Sequence, residues 1–278
     1  HTKRAGLLSL GRRGQDVAMA TPRTLVLGDD GSAAADTAWQ WIISHRWPGW
    51  RVVAATAAVP PIGPPVEPEL AALHPWEPPS PRVAPASAEI AAVEHLTAVA
   101  DPRVLLGGFP GADLVVVGPT GRGVLKALHL GSTADWLVED PTGPVVVARA
   151  PRPGSPVLLC VDGSAHSTQA MQVVADLPCI AGTDVVVLAV SDGRSDPSTA
   201  VDRAVPVLEA AGAAVTTREI EGKPTRVILE QIDAHGADLV ALGTRGLTRL
   251  RRMFTGSTTS AVTRGAPCSV MVVSAPEA

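Results

Sequence analysis

Aromatic residues and cysteines are scarce in this sequence. Only 3% of its 278 residues are aromatic, and none is tyrosine, so aliphatic side chains must fill the interior. The three cysteines, Cys160, Cys179 and Cys268, lack the spacing of metal ligands and lie in or beside apolar stretches. They are therefore predicted to be reduced core residues of a cytoplasmic protein, with a redox role as the alternative.

Long hydrophobic runs and a strong excess of one charge are also missing. No apolar run approaches the roughly 20 residues of a membrane-spanning helix, and the valine runs have the length of strands. The formal net charge is −4 and the seven histidines are scattered. These features give no reason to expect binding to nucleic acid, to a membrane surface or to a metal ion. Small molecules or proteins are the expected partners, with no nucleic acid and no membrane.

The first twenty residues contain four basic side chains but only a short apolar patch at Leu7 and Leu8. This is a poor match to a secretory signal peptide. Residues 1–20 are therefore predicted to be a disordered leader, and Met19, directly before the first predicted strand, could be the natural start.

One glycine motif occurs twice at identical spacing. Each copy has two glycines three positions apart and, after nine further residues, a Gly-Ser pair; the copies are 125 positions apart. An Asp-Gly-Ser turn also occurs twice, 132 positions apart. We interpret this as a duplicated domain, with copies in residues 21–150 and 154–276. The motifs are Gly118-Pro119-Thr120-Gly121 with Gly131-Ser132, Gly243-Thr244-Arg245-Gly246 with Gly256-Ser257, and the turns Asp30-Gly31-Ser32 and Asp162-Gly163-Ser164.

Apolar runs and helical stretches alternate in both copies, which predicts an α/β fold with parallel strands and helices on both faces. In the second copy the predicted strands are 157–161, 185–190, 214–220, 239–242 and 269–273, and the predicted helices are 167–177, part of 197–212, 224–235 and 257–264. In the first copy the corresponding strands are 24–28, 52–57, 114–117 and 145–147, with a helix at about 36–44.

The first copy departs from this plan in a proline-rich insertion at about residues 60–86. Ten prolines in this stretch exclude a helix or a central strand. The second helix is therefore predicted at about residues 87–95, followed by a weak third strand at 96–100. An exposed loop is the expected structure of the insertion, and a ligand for a proline-recognition domain is the alternative.

The repeated motif has the chemistry of a phosphate-binding loop. Closely spaced glycines let the backbone approach a ribose and phosphate, and a Gly-Ser pair at a helix start presents free N–H groups to phosphate oxygens. Asp30 or Asp162 could accept ribose hydroxyls or hold a hydrated Mg²⁺ ion. Simple turns and N-caps are the alternative. Neither the dinucleotide fingerprint nor the P-loop is present.

The two motifs and the two Asp-Gly-Ser turns resemble those of the universal stress protein family, over residues 24–274. The resemblance implies two tandem open five-stranded parallel sheets, each in strand order 3-2-1-4-5, of the adenine nucleotide alpha hydrolase-like kind. It also implies an ATP-binding protein with two ATP sites per chain, in which Mg²⁺ is expected to accompany ATP.

The resemblance implies a role for each motif residue. Asp30 and Asp162 would face the nucleotide, with Gly28 and Cys160 nearby, and the backbones of Ala57 and Val190 would contact adenine. The glycine loops would hold ribose and phosphates. The residues expected in them are Gly118, Pro119, Thr120, Gly121, Arg122, Gly131 and Ser132 in the first copy, and Gly243, Thr244, Arg245, Gly246, Gly256 and Ser257 in the second.

The two loops differ in charge. The second contains four arginines, whereas the first contains one arginine, one lysine and one histidine, so the second site is expected to bind a triphosphate more tightly. A solvated basic face is the alternative. These residues are Arg245, Arg249, Arg251 and Arg252 in the second loop, and Arg122, Lys126 and His129 in the first.

No arrangement of residues typical of a hydrolase is evident, so a nucleotide-dependent regulator of stress response or growth is the leading hypothesis. A slow ATPase on the same sites and an interaction scaffold with structural nucleotide are the alternatives. The last strands of the two copies would leave exposed apolar edges. They are predicted to pair with each other as an intrachain pseudo-dimer, and a homodimer of two chains is left open.

Overall fold

The computed structural model describes residues 22–58, 78–121, 130–191, 198–244 and 256–276. Within them, ten strands alternate with helices. The strands are β1 Arg23–Gly28, β2 Trp50–Ala57, β3 Ala92–Ala98, β4 Leu114–Val117, β5 Val145–Val147, β6 Val157–Val161, β7 Asp184–Ser191, β8 Ala214–Glu221, β9 Leu239–Gly243 and β10 Ser269–Val273. The helices are α1 Ala33–Ile43, α2 Pro102–Gly107, α3 Ser132–Glu139, α4 Ala165–Ala175, α5 Ser198–Ala210, α6 Pro224–His235 and α7 Ser257–Gly265.

The strands form one sheet in the order β3-β2-β1-β4-β5-β10-β9-β6-β7-β8. Each half has the predicted order 3-2-1-4-5, and its strands are parallel. The halves join where β5 and β10 pair antiparallel, with Val146 opposite Met271. The predicted contact between the last strands is confirmed, and it merges the two five-stranded sheets into a single sheet of ten strands.

The strands are apolar because helices cover both faces of the sheet. In β1, Leu25 and Leu27 belong to one buried cluster and Val26 to the other, as the alternation of side chains along a strand requires. The first cluster includes α1 and α4 residues, and the second includes residues of α3, α6 and α7. Because β1, β2 and β4 are parallel, their carboxyl ends lie at the same edge of the sheet. Ligands bind at this edge in open parallel sheets.

The predicted helix at residues 87–95 is wrong. Only a 3₁₀ turn, Ala86–Ala88, forms there, and it ends at Glu89 in the left-handed region (φ 53°). β3 then begins at Ala92, earlier than predicted, and pairs with β2 over its whole length. Pairing with β2 satisfies the backbone groups of these residues, and this tertiary contact overrides the helical propensity of their alanines.

The two crossovers between second and third strands have different structures. In the second half, α5 connects β7 to β8 and buries Ala204 and Leu208. In the first half, residues 78–85 form neither helix nor strand, and we refer to them as the strap. Trp47 and Trp50 are buried in the same cluster as the α5 residues, with ring centroids 5.5 Å apart. These large side chains help to cover a face on which the strap provides little apolar surface.

Candidate functional site

The ends of the first and fourth strands bring the predicted residues together in each half. Leu27 of β1 pairs with Val116 of β4, and Leu159 of β6 pairs with Ala241 of β9. The Asp-Gly-Ser turn that follows the first strand is therefore beside the glycine loop that follows the fourth. The sequence predicted this arrangement for both halves; the structure has it in the first, and in the second it describes Gly243 and Thr244 of the loop.

The first glycine of each loop packs against the helix that follows the turn. A Cβ at Gly118 would lie 2.5 Å from the carbonyl oxygen of Ala34, and a Cβ at Gly243 would lie 2.7 Å from backbone atoms of His166 and Ser167. Real Cβ atoms do not approach backbone so closely, so only glycine fits. The sequence reading assigned these glycines to close approach of a ligand, but the close approach here is to the first turn of α1 or α4.

Gly121, the second glycine of the first loop, lies against Asp30. A Cβ at Gly121 would lie 2.7 Å from Oδ2 of Asp30, and one at Gly131 would lie 3.2 Å from Cα of Thr120. The exposed Gly121 thus passes directly over the carboxylate, and the start of α3 packs against the loop. The predicted carboxylate, glycine loop and helix start form one surface in the first half.

The loop and the helix start are joined by the same hydrogen bond in both halves. The N–H of Gly131 donates to the carbonyl of Pro119, and the N–H of Gly256 donates to that of Thr244, each at 2.7 Å. Gly131 and Gly256 are the N-cap residues of α3 and α7. Because glycine has no side-chain oxygen, these caps provide no side-chain acceptor for the first N–H groups of the helices. Ser132 and Ser257, the first helical residues, are exposed.

Both Asp-Gly-Ser turns have the same internal geometry. Asp30 accepts the N–H of Ser32 and Asp162 accepts the N–H of Ser164, each on Oδ1 at 3.0 Å. The glycine between them has a positive φ, 70° at Gly31 and 79° at Gly163, a conformation that favours glycine. Each serine then caps the following helix through its hydroxyl. The turn therefore fixes the carboxylate relative to the helix.

The side chain of Thr244, a residue expected in the second ligand loop, is buried against α4. It is 3% exposed, its Oγ1 lies 3.0 Å from Nδ1 of His166, and Nδ1 also accepts the N–H of Ala275 at 2.9 Å. Because that N–H must donate, Nδ1 carries a lone pair and the threonine hydroxyl can donate to it as well. The side chain of Thr244 thus ties the second loop to α4.

Gly28 and Cys160 occupy equivalent places but differ in surroundings. A Cβ at Gly28 would lie 2.8 Å from Cδ1 of Leu106 and 2.9 Å from Cγ1 of Val117, so glycine lets α2 pack on the sheet. Burial raises the pKa of the Cys160 thiol well above its usual range. A thiol with such a pKa stays protonated near neutral pH and is a poor nucleophile.

The residues predicted to contact adenine lie on the second strands. Ala57 is the last residue of β2 and pairs with Ala98, and Val190 of β7 pairs with Ile220. Both are half-buried. Three predicted ligand residues, Arg122, Arg245 and Gly246, lie outside the described residues, as do the other basic residues of the two loops, Lys126, His129, Arg249, Arg251 and Arg252.

The sequence reading missed an ion cluster beside the first site. Asp29, directly before Asp30, is 3% exposed and accepts two hydrogen bonds from Arg82 of the strap, at 2.7 and 2.8 Å. A third bond, at 2.6 Å, joins Arg82 to Asp36 of α1. The doublet Asp29-Asp30 at the end of an apolar strand was the available signal, because a carboxylate buried there needs a partner.

Two other features, a metal-binding cluster and a membrane-spanning helix, were not found among the described residues. No cluster of three or more histidine, cysteine or acidic side chains suited to a metal ion occurs among them. None of the helices in the described part of the chain has the length and hydropathy to cross a membrane.

Comparison with known proteins points to one family. The profile of the Universal stress protein family matches residues 155–274. A universal stress protein of Mycolicibacterium smegmatis is 32% identical over 192 residues, which are 62% of this chain and 65% of that relative, so the chain spans just under two thirds of its length. Another, from Thermus aquaticus, is encoded in the 3′ region of QAH/OAS sulfhydrylase and is 31% identical over 132 residues, 42% of this chain and 96% of the relative.

A solved structure has a similar fold over most of the chain. The crystal structure of a universal stress protein from Archaeoglobus fulgidus superimposes with a TM-score of 0.66 at 18% identity, covering 92% of this chain and 98% of that one. At this identity the likeness concerns the fold alone. The sequence relatives, one of which is matched almost end to end, show that this chain belongs to the universal stress protein family.

Proposed function

We propose that this chain binds two ATP molecules, one in each half, and that ATP occupancy sets its conformation or choice of partner during stress. The observation that supports this best is the repeated convergence of three features at one sheet edge. These are a carboxylate in an Asp-Gly-Ser turn, a glycine loop packed against the next helix, and a helix start capped by glycine. Two copies of this arrangement support two sites.

The helix starts supply the chemistry for phosphate. The first N–H groups of α3 and α7 and the positive end of each helix dipole favour an anion. Ser132 and Ser257 are exposed at these starts, and their hydroxyls can donate further hydrogen bonds. Asp30 and Asp162 suit ribose hydroxyls, which donate to carboxylates.

The second site is proposed to bind ATP more tightly than the first. α3 carries Asp135 in its first turn, whereas α7 has no acidic residue there. An acidic side chain competes with phosphate for the helix end, although Arg264 pairs with Asp135 at 2.6 Å and offsets part of its charge. This adds to the difference in basic residues between the two loops.

Mg²⁺ fits these sites as a companion of the phosphates. A magnesium ion in nucleotide sites is usually held by phosphate oxygens, water and one or two carboxylates. Each half provides a carboxylate at this edge, Asp30 or Asp162; in the first half the neighbouring Asp29 is already bound by Arg82. When bound, the ion would neutralise phosphate charge, and the carboxylate would hold one of its water molecules.

The test is the amount and identity of nucleotide released when freshly purified protein is denatured, measured by chromatography. We expect close to two ATP per chain. Asp30→Asn and Asp162→Asn keep the oxygen that accepts the serine N–H but remove the charge, so each should lower the content by about one. Asp184→Asn, at an exposed position at the start of β7, is the matched control and should change nothing.

Other outcomes would point elsewhere. One ATP in the unaltered protein would mean that only one half binds, and the two variants would show which. ADP alone would favour slow hydrolysis on the same sites. Absence of nucleotide, even after incubation with Mg-ATP, would contradict the proposal and favour an interaction scaffold.

A further inference from the structure

The Asp-Gly-Ser turn of the first half is held in place by the residue before it. Oδ1 of Asp29 accepts the N–H of Gly31 at 3.0 Å, and the N–H of Asp29 donates to the carbonyl of Ala55 on β2. Asp29 thus ties the turn to the sheet. The position of Asp30, one residue further on, depends on these bonds.

Arg82 in turn holds Asp29. Its guanidinium bonds both carboxylate oxygens of Asp29 and one oxygen of Asp36, while only 13% of its side chain is exposed. The backbone N–H of Arg82 also donates to Nε2 of His95 on β3, at 2.7 Å. A bidentate arginine bond fixes both the distance and the plane of a carboxylate. The strap is therefore anchored to the end of β1, to α1 and to β3.

The second half holds the same turn without these residues. At the offset of 132 positions, Val161 replaces Asp29, Thr168 replaces Asp36 and Ser167 replaces Ala35. The N–H of Asp162 lies 3.4 Å from Oγ of Ser167, which is in the helix that follows the turn. Here the turn is held from its own helix, and α5 forms the described part of the crossover.

We propose that Arg82 is a positioning residue of the first site: by holding Asp29 it fixes the turn that carries Asp30, so ligand binding in the first half depends on the strap. Binding in the second half does not. This inference rests on the proposed function, because it assumes that Asp30 faces ATP. Without Arg82, Asp29 would be a buried carboxylate lacking its cation, and the turn would rearrange to bring it to water.

The test isolates the first site. In a chain carrying Asp162→Asn, from which bound nucleotide has been removed, calorimetric titration with Mg-ATP should detect the first site alone. Adding Arg82→Gln should weaken this binding by about tenfold or more, because a displaced Asp30 no longer meets the ligand in its productive geometry. Arg46→Gln is the matched control: Arg46 pairs with Glu89, at 2.7 Å and largely exposed, and does not touch the turn. Circular dichroism confirms that each variant is folded.

A rescue experiment distinguishes a positioning role of Arg82 from a direct effect of its charge. Adding Asp29→Val and Ala35→Ser to Arg82→Gln gives the first turn the residues that hold the second. This combination should restore most of the lost affinity although the arginine is still missing. If affinity stays low, the arginine acts through its charge, and the positioning role is wrong.

Two further outcomes are distinct. Unchanged binding in Arg82→Gln, within twofold of its parent, would overturn the role of Arg82 while leaving the proposed function intact. Failure of the Asp162→Asn parent to bind Mg-ATP at all would overturn the proposed function of the first site and the role of Arg82 with it.

Discussion

Individual glycines in this chain have different physical roles, although they look alike in the motif. Gly118 and Gly243 are required by contact with helix backbone, and Gly121 by its passage over Asp30. Gly31 and Gly163 are required by their positive φ. By contrast, a Cβ at Gly143 would meet nothing within 4 Å. The cost of an added methyl group therefore differs from one glycine to the next.

Replacing Gly118 or Gly243 by alanine should destabilise the protein by about 1–3 kcal/mol, because the methyl group must displace the first turn of α1 or α4. The free energy of unfolding in urea is the measurement. Gly143→Ala is the control and should leave stability unchanged or raise it by about 0.4–1 kcal/mol, since alanine restricts the unfolded chain. Equal effects at positions 118 and 143 would contradict the packing role.

Two helices of the second half contain proline at different positions. α6 begins with Pro224, where proline is favoured, whereas α5 contains Pro206 in its interior. Proline there removes the bond from its N–H to the carbonyl four residues earlier and crowds that carbonyl. Pro206 is on the exposed side of α5, opposite the buried Ala204 and Leu208. The helix is thus held by its apolar face rather than by local propensity.

Pro206→Ala should stabilise the protein by about 1–3 kcal/mol, because it restores a helix hydrogen bond without changing the core. Thermal and urea unfolding would both report the change. Pro224→Ala at the first position of α6 is the control, and it should be neutral or slightly destabilising. A loss of stability in Pro206→Ala would contradict this expectation.

The two halves are locked together by more than β5 and β10. Asp238, before β9, has a side chain only 4% exposed. Its Oδ2 accepts the indole N–H of Trp41 at 3.1 Å and lies 3.2 Å from Nε2 of His45, both from the first half. Arg149, after β5, donates to the carbonyls of Thr263 and Cys268. Buried polar contacts of this kind make the relative placement of the halves specific.

Asp238 should link stability to pH. Burial pushes its pKa up, but hydrogen bonds from His45, the Arg152 N–H and Trp41 outweigh this and hold the pKa below its usual range. A folded-state pKa below the unfolded value of about 3.9 gives stability that is present above that pH and lost as pH falls through the folded pKa. The stability gap between the unaltered protein and Asp238→Asn should therefore shrink below about pH 4.

Urea unfolding at a series of pH values from 6 down to 3 would measure this gap. Asp184→Asn, at an exposed position away from the contact between the halves, is the control and should show little gap at any pH. A gap for Asp238→Asn that stays constant to the lowest pH would mean that the ionised carboxylate contributes nothing to folding.

Local patterns predicted the duplication and most of the elements, and the family resemblance carried by the motifs implied the strand order. The motif at Gly118 and Gly243, the turns at Asp30 and Asp162 and the valine-rich strands are all written in short stretches of chain. Alternation of strand and helix then leaves few topologies. The prediction of paired last strands also followed locally, because two exposed apolar edges need a cover.

The tertiary structure decided what depends on residues far apart in the chain. β3 formed where a helix was predicted because β2 offered it hydrogen-bond partners. Arg82 meets Asp29 across 53 positions, and Trp41 meets Asp238 across 197. Nothing in the residues near Gly118 shows that its neighbour is the backbone of Ala34. Such contacts are set by the packing of the whole chain, in which distant segments satisfy each other's buried polar groups and fill each other's space.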